Sequence, residues 1–424
     1  MQNLFYVNLL IVPLKAELKS VMIKKIISLL LISISLNAQT QIKEGLWRGI
    51  LTLDVKKQIE VPFIFNVFYA DGQPTFTIFN GDEKIVVDES EMKNDSLFFK
   101  MPVFDTEFKC KVFPGMIQGV WINNSKKENN VIPFSAVFGQ TQRFRSAIIT
   151  RVDFAGRWET TFGINSPDSS KAIGVFKQNK QLVTGTFLSE SGDYRYLEGI
   201  ADGKDLSLSS FDGSHAYLFT ATMNGRSEIV GDFYSGLTTH EKFKAIANPN
   251  AQLQDPYSIT KTVKGVPVNF SFINTEGKQI SLADERYKNK PVVVQLMGSW
   301  CANCMDETAY LSVIYNQYQP KGLEIIALAY ERTTDIEKAK STVLRLKNKF
   351  GAQYEFLITG LSGAANAQQS LPFLASVSAF PTTIYLNKKH EIEKIYTGYN
   401  GPATGTAYLK MKESTENLLN ELIK

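Results

Sequence analysis

The amino-acid sequence predicts a multidomain protein in which a duplicated antiparallel all-β region precedes an α/β domain. Two stretches, 40–146 and 152–246, alternate apolar and polar residues between turn signals such as Asp71-Gly72 and Gly81-Asp82. Motifs of the first recur in order in the second. Gly45-Leu46-Trp47 returns as Gly156-Arg157-Trp158, Ile117–Asn123 as Ile229–Ser235, and Phe134-Ser135-Ala136 as Phe243-Lys244-Ala245, at offsets of 111, 112 and 109 residues. From residue 263 to 424, apolar runs alternate with helical periodicity, the mark of an α/β layer fold. At 424 residues the chain is too long for one core, and 44% hydrophobic with 21% charged residues is ordinary for a globular protein.

The opening segment is of another kind. From Met22 it reads MIKKIISLLLISISLNAQT: two lysines, an apolar run from Ile26 to Leu36, then a small residue at Ala38. This is the shape of a secretory signal peptide over 1–38, with cleavage after Ala38 and a true start possible at Met22. The run of 11 residues falls short of the roughly 20 that span a bilayer, which disfavours an uncleaved membrane anchor. Export to the periplasm or a comparable compartment is expected. No cysteine follows closely enough to be lipidated. The formal charge of +4 includes four lysines and one glutamate within the first 38 residues, so the remainder presents no basic face for nucleic acid.

Each Gly-x-Trp stands where a first strand begins, which resembles the opening of calycin barrels such as lipocalins over three residues per copy. Trp47 and Trp158 are expected as core plugs rather than ligand contacts. Cys110, in TEFKCKVF, is expected as a strand residue behaving as a small hydrophobe. The polar, proline-containing stretch 247–262 reads as a linker.

In the last domain, VNFSFINTEGKQISL gives two short strands and KPVVVQLMGSW a central strand covered on both faces. A helix follows with Leu311, Ile314, Tyr315 and Tyr318 on one face, ended by Pro320 and Gly322. LEIIALAY is a second buried strand. The next helix is marked by a capping box at Thr334 and Glu337, by an apolar side of Ile336, Ala339, Val343, Leu346 and Phe350, and by a stop at Gly351. YEFLI, a hairpin turning at Asn387–His390 and an amphipathic helix complete the chain.

Between the central strand and the first helix lies GSWCANCMDE, with two of the three cysteines. Zinc needs about four ligands, and beyond this pair only Cys110, His215, His240 and His390 are scattered candidates. That count disfavours zinc, and if the cysteines themselves carry electrons no metal or organic cofactor is expected. A peroxiredoxin pattern, Thr or Ser three residues and Pro seven residues before the reactive cysteine, is absent. Before Cys301 those positions hold Gly298 and Val294, and before Cys304 they hold Cys301 and Met297.

The order strand, Trp-Cys-x-x-Cys at a helix start, strand, helix and Phe380-Pro381-Thr382-Thr383 before a hairpin resembles the thioredoxin superfamily. It is most similar to the exported TlpA/ResA-like thiol–disulfide oxidoreductases over roughly the last two fifths of the chain, with Glu307 and Gly398 matching as well. Cys301 at a helix N-terminus is favoured as a thiolate by unpaired N–H groups and the helix dipole. It would be the nucleophile, Cys304 the resolving thiol one turn on, and Trp300 their shield. The resemblance implies that Glu307 takes the Cys304 proton, that Pro381 forms a cis-proline loop, and that Phe380 and Thr382 contact a protein disulfide substrate. It also implies an upstream membrane thiol donor. Gln295 stands where thioredoxins carry a buried aspartate. Asp306 and Glu307 are expected to add first-turn negative charge, which opposes the thiolate and favours a disulfide reductase over an oxidase. A binding or scaffold protein acting through its β-units, with a passive redox domain, is the alternative.

Overall fold

The computed structural model describes residues 41–148 and 152–424; the expected signal peptide lies outside the described residues. In the first β region nine antiparallel strands run from Gly45 to Phe138, and the first, Gly45–Asp54, pairs with the last, Val131–Phe138. Only Glu83–Val87 and Ser90–Lys93, neighbours in sequence, do not pair, so this sheet curls without closing. In the second region Gly156–Phe162 pairs with both Ser170–Asn179 and Thr239–Ala247, and the ladder closes on itself. Closure removes the unpaired edges that an open sheet exposes.

The two Gly-x-Trp motifs adopt one geometry. Gly45 and Gly156 have φ of +117° and +111°, a region that favours glycine. Both indoles are buried, and each donates from Nε1 to the carbonyl four residues before it, Lys43 at 2.9 Å and Phe154 at 2.8 Å. Each is a core plug. The two regions also share a core. Phe211 of the second packs among Phe63, Phe108 and Trp121 of the first, with ring centroids 4.8–5.7 Å apart. Cys110 is a free, buried thiol, pushed up to about 12 by burial.

The C-terminal domain, whose elements are numbered here from its own start, is a seven-stranded mixed sheet. Its strands are β1 (Ser271–Asn274), β2 (Gln279–Ser281), β3 (Val292–Met297), β4 (Glu324–Glu331), β5 (Glu355–Leu361), β6 (Thr382–Leu386) and β7 (Ile392–Thr397), in the spatial order 2-1-5-4-3-6-7. The central β3, β4 and β5 are parallel, and β6 and β7 extend the sheet antiparallel. Every residue of β3 and β4 is buried, because helices α1 (Ala302–Tyr318), α2 (Ile336–Lys349), α3 (Ala364–Ser370) and α4 (Thr406–Leu422) accompany the sheet.

The expected apolar face of α1 is buried, and Gly322 ends the segment at φ +97°. Helix α2 starts one residue later than its capping box implies. Asp335, not Thr334, accepts from the Glu337 and Lys338 amides, a carboxylate suiting the positive helix end. Ile336 is consequently exposed, and Ala339, Val343 and Leu346 form the buried side. The stretch expected as a linker is packed down: Thr260 exchanges a 2.7 Å hydrogen bond with Thr397, and Tyr257 sits edge-on to Tyr396. No helix among the described residues is long and apolar enough to cross a membrane.

Candidate active site

The chain leaves β3 through Gly298-Ser299-Trp300. A Cβ at Gly298 would collide with the Trp300 indole nitrogen and lie 2.8 Å from the Tyr330 carbonyl. That space is taken because the indole folds back and donates to this carbonyl at 2.8 Å. Ser299 donates from its amide and hydroxyl to the Glu331 carboxylate at 2.8 and 2.7 Å, anchoring the loop to the end of β4.

Cys301 is the N-cap of α1, and its Sγ accepts from the Cys304 amide at 3.2 Å. The two cysteines form a disulfide with Cα atoms 5.2 Å apart. The Phe380 carbonyl lies 3.5 Å from Cys301 Sγ, the Phe380–Pro381 peptide is cis, and the Phe380 ring meets Trp300 edge-on. Thr382 does not fit a substrate contact. It is fully buried within β6, paired to both β3 and β7, and its hydroxyl donates back to Ala379 at 2.8 Å. Phe380 alone of the two faces the sulfurs.

Glu307 lies beneath the pair, buried. Its carboxylate accepts from Thr383 Oγ1 at 2.6 Å and from Gln295 Nε2 at 2.9 Å. Gln295 Nε2 also reaches the Cys304 carbonyl at 3.5 Å, so this side chain bridges the Glu307 carboxylate to the Cys304 backbone. Burial pushes the Glu307 carboxyl up to about 7, against the two hydrogen bonds that favour its anion. It can therefore exchange a proton near neutrality.

The expectation of free negative charge in the first helical turn is overturned. Helix α1 begins at Ala302, which places Asp306 and Glu307 in the second turn. Asp306 is paired with Arg195 of the second β region, and Glu307 is partly protonated at neutral pH. Arg195 also pairs with Glu83 of the first β region and lies 3.8 Å from Asp212 of its own. Burial alone would depress this guanidinium, but the Asp306, Glu83 and Asp212 carboxylates outweigh it and hold its pKa well above the usual value.

Around Arg195 the hairpin of the second β region covers the helix start. A Cβ at Gly192 would overlap the Asn303 amide, and Asn303 Nδ2 donates to the Asp193 carbonyl at 3.3 Å. The Asp193 carboxylate accepts from the Gly401 amide at 2.6 Å. A Cβ at Gly398, where φ is +79°, would lie 2.5 Å from the Glu190 carbonyl oxygen, so only glycine leaves room for the hairpin there. Cys301 is left only 8% exposed. Arg195 and Asp193 were not singled out from the sequence; Gln295 was noted for its position and Thr383 as part of the Phe380–Thr383 motif, but neither as a partner of Glu307. An arginine flanked by two tyrosines was the one local hint, and its partners stand about a hundred residues away on either side.

Residues 261–411 match the Redoxin family model. The ResA thiol-disulfide oxidoreductase of Geobacillus thermodenitrificans is 28% identical over 130 residues, covering 31% of this chain and 66% of that protein. That of Bacillus subtilis is 26% identical over 130 residues, covering 31% of this chain and 64% of that protein. The chain thus spans just under two thirds of the length of these relatives. Among solved structures, StoA from Bacillus subtilis is 20% identical with a TM-score of 0.26, covering 35% of this chain and 98% of that one. The β-rich regions lie outside the matched span. Residues 261–411 form a Redoxin domain, similar in sequence to the ResA thiol-disulfide oxidoreductases.

Proposed function

We propose that this chain is an exported thiol–disulfide oxidoreductase that reduces protein disulfides through Cys301 and Cys304. The observation that carries this reading is the disulfide at the N-terminus of α1, above a buried carboxyl poised near neutral pH. In the reduced protein the Cys301 thiolate attacks one sulfur of a substrate disulfide. The substrate bond breaks, the departing thiolate takes a proton from water, and a mixed disulfide forms. Cys304 then gives its proton to Glu307 and attacks Cys301 Sγ. The second substrate thiol departs, and the Cys301–Cys304 bond seen here is formed. Two electrons pass to the substrate, and an upstream thiol donor at the membrane restores the dithiol. Trp300 and the Phe380 backbone flank the attacking sulfur, where an extended substrate can pair with the Pro381 loop.

The direction of transfer rests on the surroundings of Cys301. Among the described residues its sulfur accepts one hydrogen bond, from the Cys304 amide, and no lysine or arginine bonds to it. Arg195 is engaged by carboxylates. A thiolate stabilised by a helix terminus alone is less favoured, so its disulfide is harder to reduce and its dithiol is a better donor. We further read the two β regions, 40–146 and 152–246, as copies of one unit, on the strength of their shared Gly-x-Trp geometry. Cys301→Ser is expected to bring insulin disulfide reduction down to the uncatalysed background; turnover equal to that of the unaltered protein would discard the oxidoreductase reading.

A further inference from the structure

The second β region closes the Asn303 side of the disulfide, but a cleft stays open on the Trp300 side. It consists of two cavities that meet at Asn123, Lys126, Ser214 and Arg332. All three parts of the chain contribute to this junction: the first β region supplies Asn123 and Lys126, the second Ser214, and the Redoxin domain Arg332.

The charges of the cleft do not balance. Lys338 is engaged by Asp105 at 3.4 Å and by the Asn124 carbonyl at 3.1 Å. His215 is held by Asp212 at 3.0 Å. Glu331 is engaged by Ser299. Lys126, Lys127 and Arg332 line the same cleft, and none has an ion-pair partner among the described residues. The Arg332 guanidinium lies 4.0 Å over the Trp300 ring, one residue before the reactive cysteine. Burial, and then the charge of Arg332, lower the Lys126 ammonium. Of the lining carboxylates, Asp105 is taken by Lys338 and Glu331 offsets only part of the charge of Arg332, so cations remain in excess, and a concave site focuses their field on an incoming anion. A concave site admits a polypeptide segment and keeps out a flat lipid surface. Three cations are also few for a nucleic-acid backbone.

We propose that this cleft binds an acidic stretch of the substrate polypeptide on Lys126 and Arg332, selecting protein disulfides with Asp or Glu nearby for exchange at Cys301. The β regions then form half of the substrate site. This inference rests on the oxidoreductase reading, and two readouts separate their failures.

The first readout is binding, by calorimetry, of a cysteine-free Glu-rich peptide and its Gln counterpart to the full chain. The second is kcat/KM for the same two peptides carrying a disulfide. The Glu peptide is expected to bind about tenfold tighter and to be reduced about tenfold more efficiently at low salt, since two partly exposed ion pairs are gained. The preference should fade at about 0.5 M salt, which shortens the reach of exposed charges. Lys126→Glu should abolish the preference, whereas the charge-matched Lys389→Glu, on the exposed β6–β7 turn at the end of the sheet opposite Cys301, should retain it. The unaltered protein's salt dependence gives the same information without a variant. Equal binding of the two peptides at low salt, or a preference indifferent to Lys126→Glu, would overturn the cleft. Tight binding of the Glu peptide with no disulfide reduction would support the cleft and sink the oxidoreductase reading.

Discussion

Glu307→Gln is expected to lower kcat/KM for disulfide reduction by about a hundredfold or more, the range that a positioned general acid–base supplies. The substitution keeps the shape and an oxygen acceptor for Thr383 or Gln295, so the surroundings of Cys304 stay built. What disappears is a carboxyl whose pKa burial has raised to about 7. In the unaltered protein the ionised form must take the Cys304 proton, so the rate of resolution rises with pH through a midpoint near 7. The variant should lose that inflection and retain the dependence set by the thiols themselves. Stability moves the opposite way. A carboxyl raised from 4.5 to about 7 on folding stabilises the native state fully below the lower value and loses that contribution as pH rises through the higher one. Glu307→Gln should therefore flatten the fall in stability between those two pH values. A pH–rate profile unchanged by the substitution would remove Glu307 from the mechanism.

Arg195→Ala is expected to destabilise the described fold by about 3–5 kcal/mol, the cost of breaking a buried ion pair from one side. Its guanidinium is 4% exposed and answers Asp306, Glu83 and Asp212 at once, so its loss strands carboxylates from three parts of the chain. Burial of those charges without their partner costs more than the pairing itself contributes. Arg195→Lys should fall between, since a single ammonium cannot reproduce the planar fork that meets several oxygens. The same loss should loosen the hairpin that covers Asn303 and speed alkylation of reduced Cys301, now 8% exposed. Urea unfolding followed by tryptophan fluorescence gives the first quantity. A loss below about 1 kcal/mol would mean that the cluster behaves as an exposed one.

These two residues mark the boundary of what could be read from the sequence. Periodicity located the strands, the α1 face and the buried β3, because each depends on residues a few positions apart. The Cys301/Cys304 spacing at a helix start was equally local. The charge states of Asp306 and Glu307 were misread because they depend on burial and on Arg195, which the chain brings back from 111 residues away. The Thr334 capping box failed where two adjacent residues compete for one cap and the carboxylate of Asp335 prevailed. Thr382 adjoins Pro381 and reads as a loop residue, yet pairing on both sides of β6 buries it. Phe211 gave no sign of joining another region's core, since a buried strand phenylalanine looks the same whichever core receives it.

The central claim concerns reversible chemistry at residues 301 and 304, and mass spectrometry of alkylated intact protein tests it most directly. Without reductant the folded protein should take up no label. After mild thiol treatment it should take up two, at these positions, while Cys110 stays unlabelled because its thiol is buried and pushed up to about 12. Removal of the reductant in the presence of a protein disulfide should restore the unlabelled state, with stoichiometric appearance of substrate thiols. Two labels that persist after that exposure, or none after mild reduction, would contradict the account.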